Sequence, residues 1–318
     1  MHFSTRLNSF DLGKGLKHPH TKSKTVDLIN IAGTVKGLTA LELNYPEHFV
    51  GQNFDEIVAA LTKNNLAVKG IQLRWPAPEF ADGGFTNPDA AIRAKAIKMV
   101  EEAAEIAAKI GTDHVLLWPA HDGYEYLYQM NYIEAWNHFR DALTHLTNKY
   151  PAINFSIEYK PAEPRARTIL NSTGATLKLI NEVGNKNLGV TLDFAHLLMA
   201  HENPAQSAAM ALNDGRLFGL QMNDGFGAAD DGLVVGALHP METIELAYYL
   251  LKYGYKGTYY FDTDPVREEP IKECEMNIER MKHFIKIAQS LIDDKVAFGN
   301  GDGLEVTDLV GKRAFRSA

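Results

Sequence analysis

The chain has 318 residues, a formal net charge of −8, 12 histidines and a single cysteine, Cys274. One cysteine excludes an internal disulfide framework and fits a reducing cytoplasm, and a mildly acidic chain without a basic stripe is a poor nucleic-acid binder. No apolar stretch is long enough to span a bilayer, and Met1-His2-Phe3-Ser4-Thr5-Arg6 lacks the apolar core of a signal peptide. The expectation is a cytoplasmic protein acting on a small molecule, with neither nucleic acid nor membrane as partner.

Residues 1–24 read as irregular, with a weak first strand between Phe3 and Phe10. Val26 to Val35 has helical spacing and is expected to end at Gly37. Leu38–Asn44 reads as a strand, Phe54–Leu61 as an amphipathic helix, and Ala67–Leu73 as the next strand, running into Arg74-Trp75-Pro76. A long loop carries Asp82-Gly83-Gly84-Phe85-Thr86. Pro88–Ile110 has apolar residues at 3 to 4 spacing and predicts a long helix capped by Gly111. His114–Trp118 is a strand, followed by the loop Pro119-Ala120-His121-Asp122-Gly123, a helix over Ile133–Tyr150 and a strand over Ile153–Glu158. The alternation continues with helices over Gly174–Val183, Pro204–Leu212, Met241–Tyr253 and Ile271–Ile292. Between them lie strands over Leu188–Asp193, Leu217–Met222 and Thr258–Phe261.

About eight strand–helix units without a Pro-, Gly- or Ser-rich linker predict one (β/α)₈ TIM barrel over 1–293, with a polar tail over 294–318. A doubly wound sheet is the structural rival, but no Gly-x-Gly-x-x-Gly follows the first strand.

The densest chemistry lies in Ile157-Glu158-Tyr159-Lys160-Pro161-Ala162-Glu163-Pro164-Arg165. An apolar strand changes here into alternating acid and base, and two prolines end it. With a period of 2, Glu158 and Lys160 share one face and Tyr159 takes the other. An acid and an ammonium at a strand's C-terminal end are either a buried salt bridge or a metal ligand beside a catalytic lysine. Other late strands also end in ligand-type residues: Asp193 with His196, Gln221 with Asn223 and Asp224, and Asp262 with Asp264. Carboxylates, an amide and one imidazole suit a hard cation such as Mg²⁺ or Mn²⁺, with Co²⁺ a further candidate. Asp230-Asp231 offers acids for a second cation. A lone acid at a strand end is more often solvated or a helix cap, and the recurrence on consecutive strands is what favours a metal. His121, just after a strand, is a candidate for substrate contact. The other histidines, His18 and His20 among them, read as surface or packing residues.

The stretch Glu158-Tyr159-Lys160-Pro161-Ala162-Glu163-Pro164-Arg165 resembles the Glu-Pro-Lys-Pro-x-Glu-Pro motif of xylose isomerases. Asp82-Gly83-Gly84-Phe85-Thr86-Asn87 with Arg93, and Leu117-Trp118 with the loop to Gly123-Tyr124-Glu125, are similar to two further stretches of that family, in the same order from about residue 70 to 267. The wider superfamily includes rhamnose isomerases, tagatose-type epimerases and apiose isomerases. The resemblance implies one metal held by Glu158, Asp193, Gln221 and Asp262, and a second held by Asp193, His196, Asp230 and Asp231. It also implies a substrate-directed Lys160 and an apolar wall from Trp118, to which Trp75 is added as a substrate-side candidate. Phe85 becomes a candidate to reach a neighbouring subunit's site in a homodimer or homotetramer.

The departures are an Asp at 193 where xylose isomerases have Glu, and a Gln at 221 where they have Asp and the epimerases usually have His. The acids at 230 and 231 are adjacent rather than separated by one residue. No histidine corresponding to the ring-opening one stands near Glu42-Leu43-Asn44, which argues against plain xylose. The expected activity is aldose–ketose isomerisation of a free pentose, a branched pentose such as apiose, or a 6-deoxyhexose, with Lys160, Glu158 and Asp262 as catalytic candidates. Ketose 3-epimerisation by paired carboxylates is the alternative, and a sugar-binding barrel without chemistry is a third reading.

Overall fold

The computed structural model describes residues 2–11, 23–296 and 303–315. In chain order its elements begin with β1 (Phe3–Arg6), a 3₁₀ turn (Leu7–Phe10), α1 (Thr25–Ala32), β2 (Ala40–Tyr45), α2 (Phe54–Lys63), β3 (Ala67–Leu73), α3 (Ala90–Ile110), β4 (His114–Leu117), β5 (Gly123–Tyr124) and α4 (Tyr132–Lys149). They continue with β6 (Asn154–Glu158), β7 (Ala162–Glu163), β8 (Ala166–Thr168), α5 (Thr173–Val183), β9 (Leu188–Asp193), α6 (Phe194–Met199), α7 (Pro204–Asn213), β10 (Leu217–Met222), α8 (Pro240–Lys252), β11 (Tyr259–Phe261), α9 (Pro270–Asp293) and α10 (Gly303–Phe315). Eight of the strands, β1, β2, β3, β4, β6, β9, β10 and β11, pair in parallel and close into a barrel, β11 returning to β1. This is the (β/α)₈ architecture read from the alternation of elements, and the eight barrel strands match the eight expected ones. No helix among the described residues is long and apolar enough to cross a membrane.

Why the strands form a barrel is visible in their two faces. Leu41 and Leu43, Ile71 and Leu73, Val115 and Leu117, Phe155 and Ile157, and Val190 and Leu192 lie in the apolar core that joins the strands to the helices. Residues between them alternate to the lumen side. That side carries Glu42, Gln72, His114, Ser156, Glu158, Thr191, Asp193 and Gln221, all of them polar. A TIM-barrel lumen is ordinarily packed with branched apolar side chains; here many of its positions are polar, and only some of them are hydrogen-bonded to one another. His114 Nε2 meets Ser156 Oγ at 2.7 Å, and Ser156 Oγ meets Thr191 Oγ1 at 2.7 Å. Glycines leave the room this requires: a Cβ at Gly219 would stand 2.2 Å from Thr191 Oγ1, and one at Gly70 would stand 3.3 Å from both Glu42 Cδ and His114 Nδ1.

Three parts of the fold depart from the sequence reading. The loops after β4 and β6 form a small antiparallel sheet, β5-β8-β7, that sits beside the cleft. A short helix, α6, follows β9 without a break, because Asp193 caps it by accepting the His196 N–H at 3.0 Å. The expected polar tail contains α10, whose Val306, Leu309, Val310 and Ala314 pack on the apolar core. Arg313 ties it down by donating to Ser290 Oγ and Asp294 Oδ2, each at 2.6 Å. His18 and His20 lie outside the described residues.

Glu42 is the lumen's most isolated acid. Its one hydrogen bond, from Gln72 Nε2, is 3.4 Å long, and burial pushes its carboxyl up to about 8, with Asp262 adding to the effect and Gln72 opposing it. The folded protein therefore holds a proton on Glu42 that the unfolded chain releases near pH 4.5. Stability should fall as pH rises from about 4.5 to about 8, because the unfolded state binds fewer protons across that window. Glu42→Gln should flatten this slope. Thermal melts of both proteins at pH 5, 6.5 and 8 are expected to show a melting-temperature gap in favour of the variant that widens with pH; parallel curves would count against it.

Candidate metal and substrate site

Strand ends at the C-terminal rim converge on one buried cluster. Glu158 ends β6, Asp193 ends β9, and His196 stands on the first turn of α6. Each offers a ligand atom, and these atoms lie within 4.8 Å of one another with all three side chains buried. His196 Nδ1 lies 3.5 Å from Glu158 Oε1 and 3.9 Å from Asp193 Oδ1. On the other side of the ring, His196 Nε2 lies 3.2 Å from Asp230 Oδ2. Asp193 is further held by Asn223, whose Nδ2 donates to both carboxylate oxygens at 3.3 and 3.0 Å and to the Asp262 carbonyl at 3.1 Å. Gln221 stands beside Asp193 in register on β10.

These charges cannot all be satisfied by protein alone. Burial, together with the neighbouring Asp262 and Asp193, pushes Glu158 up to about 8 against the pull of His196. Burial likewise pushes Asp193 up to about 7. His196 is driven up to about 9 by Asp193, Asp230 and Glu158 in spite of its burial. Asp230 is held well below the usual carboxylate range, its burial outweighed by His196 and Lys160. Acids packed this closely keep protons unless a cation replaces them. Gln221 adds an independent sign: it is 1% exposed, and neither its amide oxygen nor its nitrogen has a hydrogen-bond partner. A buried unpaired amide is costly. An oxygen-rich set with one imidazole and an orphaned amide fits a hard divalent cation, with Glu158, Asp193, His196 and Gln221 as its holders.

Above the cluster lies a cleft of about 360 Å³, lined by Arg6, Arg74, Trp118, Glu158, Lys160, Glu163, Asp230, Asp262 and Asp264 among others. The Lys160 side chain is buried and donates to Asp230 at 3.1 Å and to Glu163. Its ammonium also sits 5.5 Å from the centre of the Trp118 ring. Asp230 and Glu163 raise the Lys160 pKa against the effect of burial, so it is a charged group in the cleft wall. The buried-salt-bridge reading of Glu158 with Lys160 is therefore replaced: the lysine's partners are Glu163 and Asp230. Tyr159 points to the other side, as the alternation predicts, and its hydroxyl bonds Thr173 at 2.8 Å and Glu202. Asp262 faces Arg6 at 3.6 Å.

Not every candidate joins this site. Asp231 is turned away, its Oδ2 accepting the Phe226 N–H at 2.7 Å and so shaping the loop that carries Asp230. Asp224 holds the start of α8, accepting from the backbone N–H of Leu238 and His239 at 2.8 and 2.9 Å and meeting His239 Nδ1 at 2.7 Å. Phe85 is fully buried in its own chain, 4.8 Å from the Trp75 ring and 5.3 Å from Phe139, which corrects the expectation that it reaches a neighbouring subunit. Trp75 is likewise core: its indole N–H donates to the Ala96 carbonyl at 3.4 Å, and it does not line the cleft. His121 lies beside Trp118, ring centres 6.2 Å apart, but belongs to a neighbouring hollow with Tyr124 and Glu125. Sequence reading missed Asp122, which is buried and accepts from Gly84 N at 3.1 Å, Thr86 N at 2.7 Å and Thr86 Oγ1 at 2.8 Å. Its signal was present in the Gly-Gly-Phe-Thr loop, a run of backbone donors that needs an acceptor. Arg6 and Arg74 were missed too; each is the polar residue at the C-terminal end of its strand.

A closed parallel barrel whose C-terminal rim gathers buried carboxylates, an imidazole and a lysine is a TIM barrel with a group that could hold a metal at its rim. The chain belongs to the xylose isomerase-like TIM barrel family, which it matches over residues 36–286. It is 30% identical over 233 residues to the xylose isomerase of Thermus thermophilus, a match that covers 69% of this chain and 59% of that protein. With the xylose isomerase of Thermus caldophilus it shares 29% over 198 residues, 60% of this chain and 51% of that one. The matches thus span between half and three fifths of these relatives. Solved structures of the same fold include an L-ribulose 3-epimerase (TM-score 0.72, 14% identity, covering 94% of this chain and all of that one) and a D-tagatose 3-epimerase-like protein (TM-score 0.70, 18% identity, 93% and 100%).

Gln221→Met tests the metal assignment. Removing an unpaired buried amide should leave the EDTA-treated protein as stable as before or more so. A thioether is a poor ligand for a hard cation, and Mn²⁺ affinity should fall by at least about tenfold. Calorimetric Mn²⁺ titration with melts in EDTA reads both quantities; unchanged Mn²⁺ affinity would remove Gln221 from the ligand set.

Proposed function

We propose that this protein is a metal-dependent aldose–ketose isomerase acting on an open-chain sugar in the cleft at the C-terminal rim. The observation that carries the reading is a charged, buried Lys160 that lines the same cleft as Glu158 and shares Asp230 Oδ2 with His196 of the Glu158–Asp193–His196 cluster. Family membership and the xylose isomerase relatives support the same reaction class. When bound, a divalent cation supplies Lewis-acid polarisation of adjacent sugar oxygens.

The chain's own residues supply the rest. A hydride moves from C2 to C1 of the open-chain aldose while the C2 hydroxyl gives up its proton and the C1 oxygen gains one, so C2 becomes the carbonyl and C1 the alcohol. The negative charge developing on the C1 oxygen is met by the Lys160 ammonium. Glu163 and Asp230 hold that ammonium in place, so it needs no reorganisation during the reaction. Trp118 forms one wall of the cleft.

Ketose 3-epimerisation is the second reading, favoured by one observation. Asp262 and Glu158 both line the cleft, three strands apart around the barrel, as a pair of acids working on two faces of a sugar would. The two chemistries separate on product. With Mn²⁺ or Mg²⁺ present, an aldose panel of pentoses, 6-deoxyhexoses and apiose should yield ketoses, and EDTA should abolish turnover until metal is restored. C3 epimers from ketoses, with no aldose consumed, would assign the second reading. Metal binding without turnover of either kind would assign neither.

Lys160→Met should lower kcat by about 10²–10³-fold and change KM far less, because the interaction strengthens in the transition state. Metal content should be retained. Normal turnover with a lowered melting temperature would make Lys160 a structural partner of Asp230 and Glu163 instead.

A further inference from the structure

Among the basic groups of the cleft, one has no acid in salt-bridge contact. Lys160 is taken by Asp230 and Glu163. Arg6 faces Asp262 and Asp264 at 3.6 and 3.7 Å. Arg74 has no carboxylate within salt-bridge distance among the described residues; its Nε, like that of Arg6, is buried without a hydrogen-bond partner, and its charge reaches the Glu158 carboxyl only through space, pulling it down against burial. Its place follows from β3: Gly70 and Gln72 face the lumen, and Arg74, two residues on, continues that side into the cleft. The guanidinium carbon lies 5.1 Å from the centre of the Trp118 ring, which orients the fork without neutralising it. Leaving a partly buried guanidinium unpaired is costly unless something else binds it.

We propose that Arg74 is a specificity residue that receives a carboxylate of the substrate, so that a sugar acid, such as a uronate, is handled in preference to the neutral aldose of the same configuration. This rests on the reading of the cleft as a sugar isomerase site and narrows its substrate class. A guanidinium presents parallel donors that match a carboxylate and make charge-assisted bonds. The cleft's charge balance selects a monoanion over a phosphate dianion. Its lining holds the acids Glu158, Glu163, Asp230, Asp262 and Asp264 against the bases Arg6, Arg74 and Lys160, so a doubly charged group would face acids with a single free guanidinium to offset it. The two ends of the substrate are then distinguished: the reacting carbons lie toward Lys160, and the carboxylate lies toward Arg74.

The test uses Mn²⁺-loaded protein and sugar pairs that differ only in carboxylate for hydroxymethyl: glucuronate against glucose, and galacturonate against galactose. Ketose formation gives kcat/KM, and calorimetry gives affinity independently of turnover. The wild-type protein should prefer at least one acid to its neutral partner by about 10–10²-fold, the worth of a charge-assisted hydrogen-bonded pair. Arg74→Met should bring that ratio toward one, chiefly through KM, and Arg74→Lys should restore part of it. Melting curves establish that both variants are folded, and the wild-type preference stands as a test even where a variant is not. A wild-type protein that prefers the neutral sugar, or an Arg74→Met ratio equal to wild type, overturns the assignment. If no sugar is turned over but uronate binding depends on Arg74, the inference stands and the isomerase reading fails; if only neutral aldoses are isomerised, the reverse holds.

Discussion

The structure depends on one electrostatic constraint: Glu158, Asp193 and Asp230 crowd around a single imidazole, His196, at the C-terminal mouth of a barrel. Lys160 offsets Asp230 at the rim, but the two buried acids, Glu158 and Asp193, cannot both be ionised against one imidazole without another positive charge. The raised carboxyls of Glu158 and Asp193 and the raised imidazolium express that conflict. The surroundings follow from it. Asn223 is spent on holding Asp193, Lys160 on Asp230, and Gln221 is left with an amide that no protein atom satisfies.

The barrel is built to tolerate this. Its outer face is a conventional apolar core against the helices, and folding stability resides there, in residues such as Ile71, Leu117, Ile157 and Leu192. The lumen is released from that duty and carries polar side chains linked by hydrogen bonds, with glycines at 70 and 219 leaving room for them. Glu42 marks the cost of such a lumen, a buried acid that stays protonated into the neutral range. The same division lets the strand ends vary in charge without disturbing the closure of the sheet.

Much of the fold was legible because the strands and helices obey local rules. The helical spacing over α3, the acids and prolines that follow Ile157, and the polar strand endings are all sequence-local. What escaped were features made by distant partners. Val306, Leu309 and Val310 are apolar in a stretch that otherwise reads as polar, and only the groove offered by the last helices makes them a helix face. Phe85 and Trp75 look like exposed loop aromatics in sequence, yet each is buried by the other and by helices that lie elsewhere in the chain.

Residue types and their periodicity determined the barrel class, the eight strands and the short list of acids and bases at their ends, since these follow from local spacing and side-chain chemistry. Tertiary structure alone decided which members of that list meet. Asp230 was drawn to His196 and Lys160 while its neighbour Asp231 turned to the Phe226 N–H, a choice set by how one loop lies across the rim. Arg74 was left beside the Trp118 ring rather than in contact with a carboxylate for the same reason. Pairing among residues far apart in sequence depends on where closure of the barrel places each strand end, and no local spacing encodes that distance.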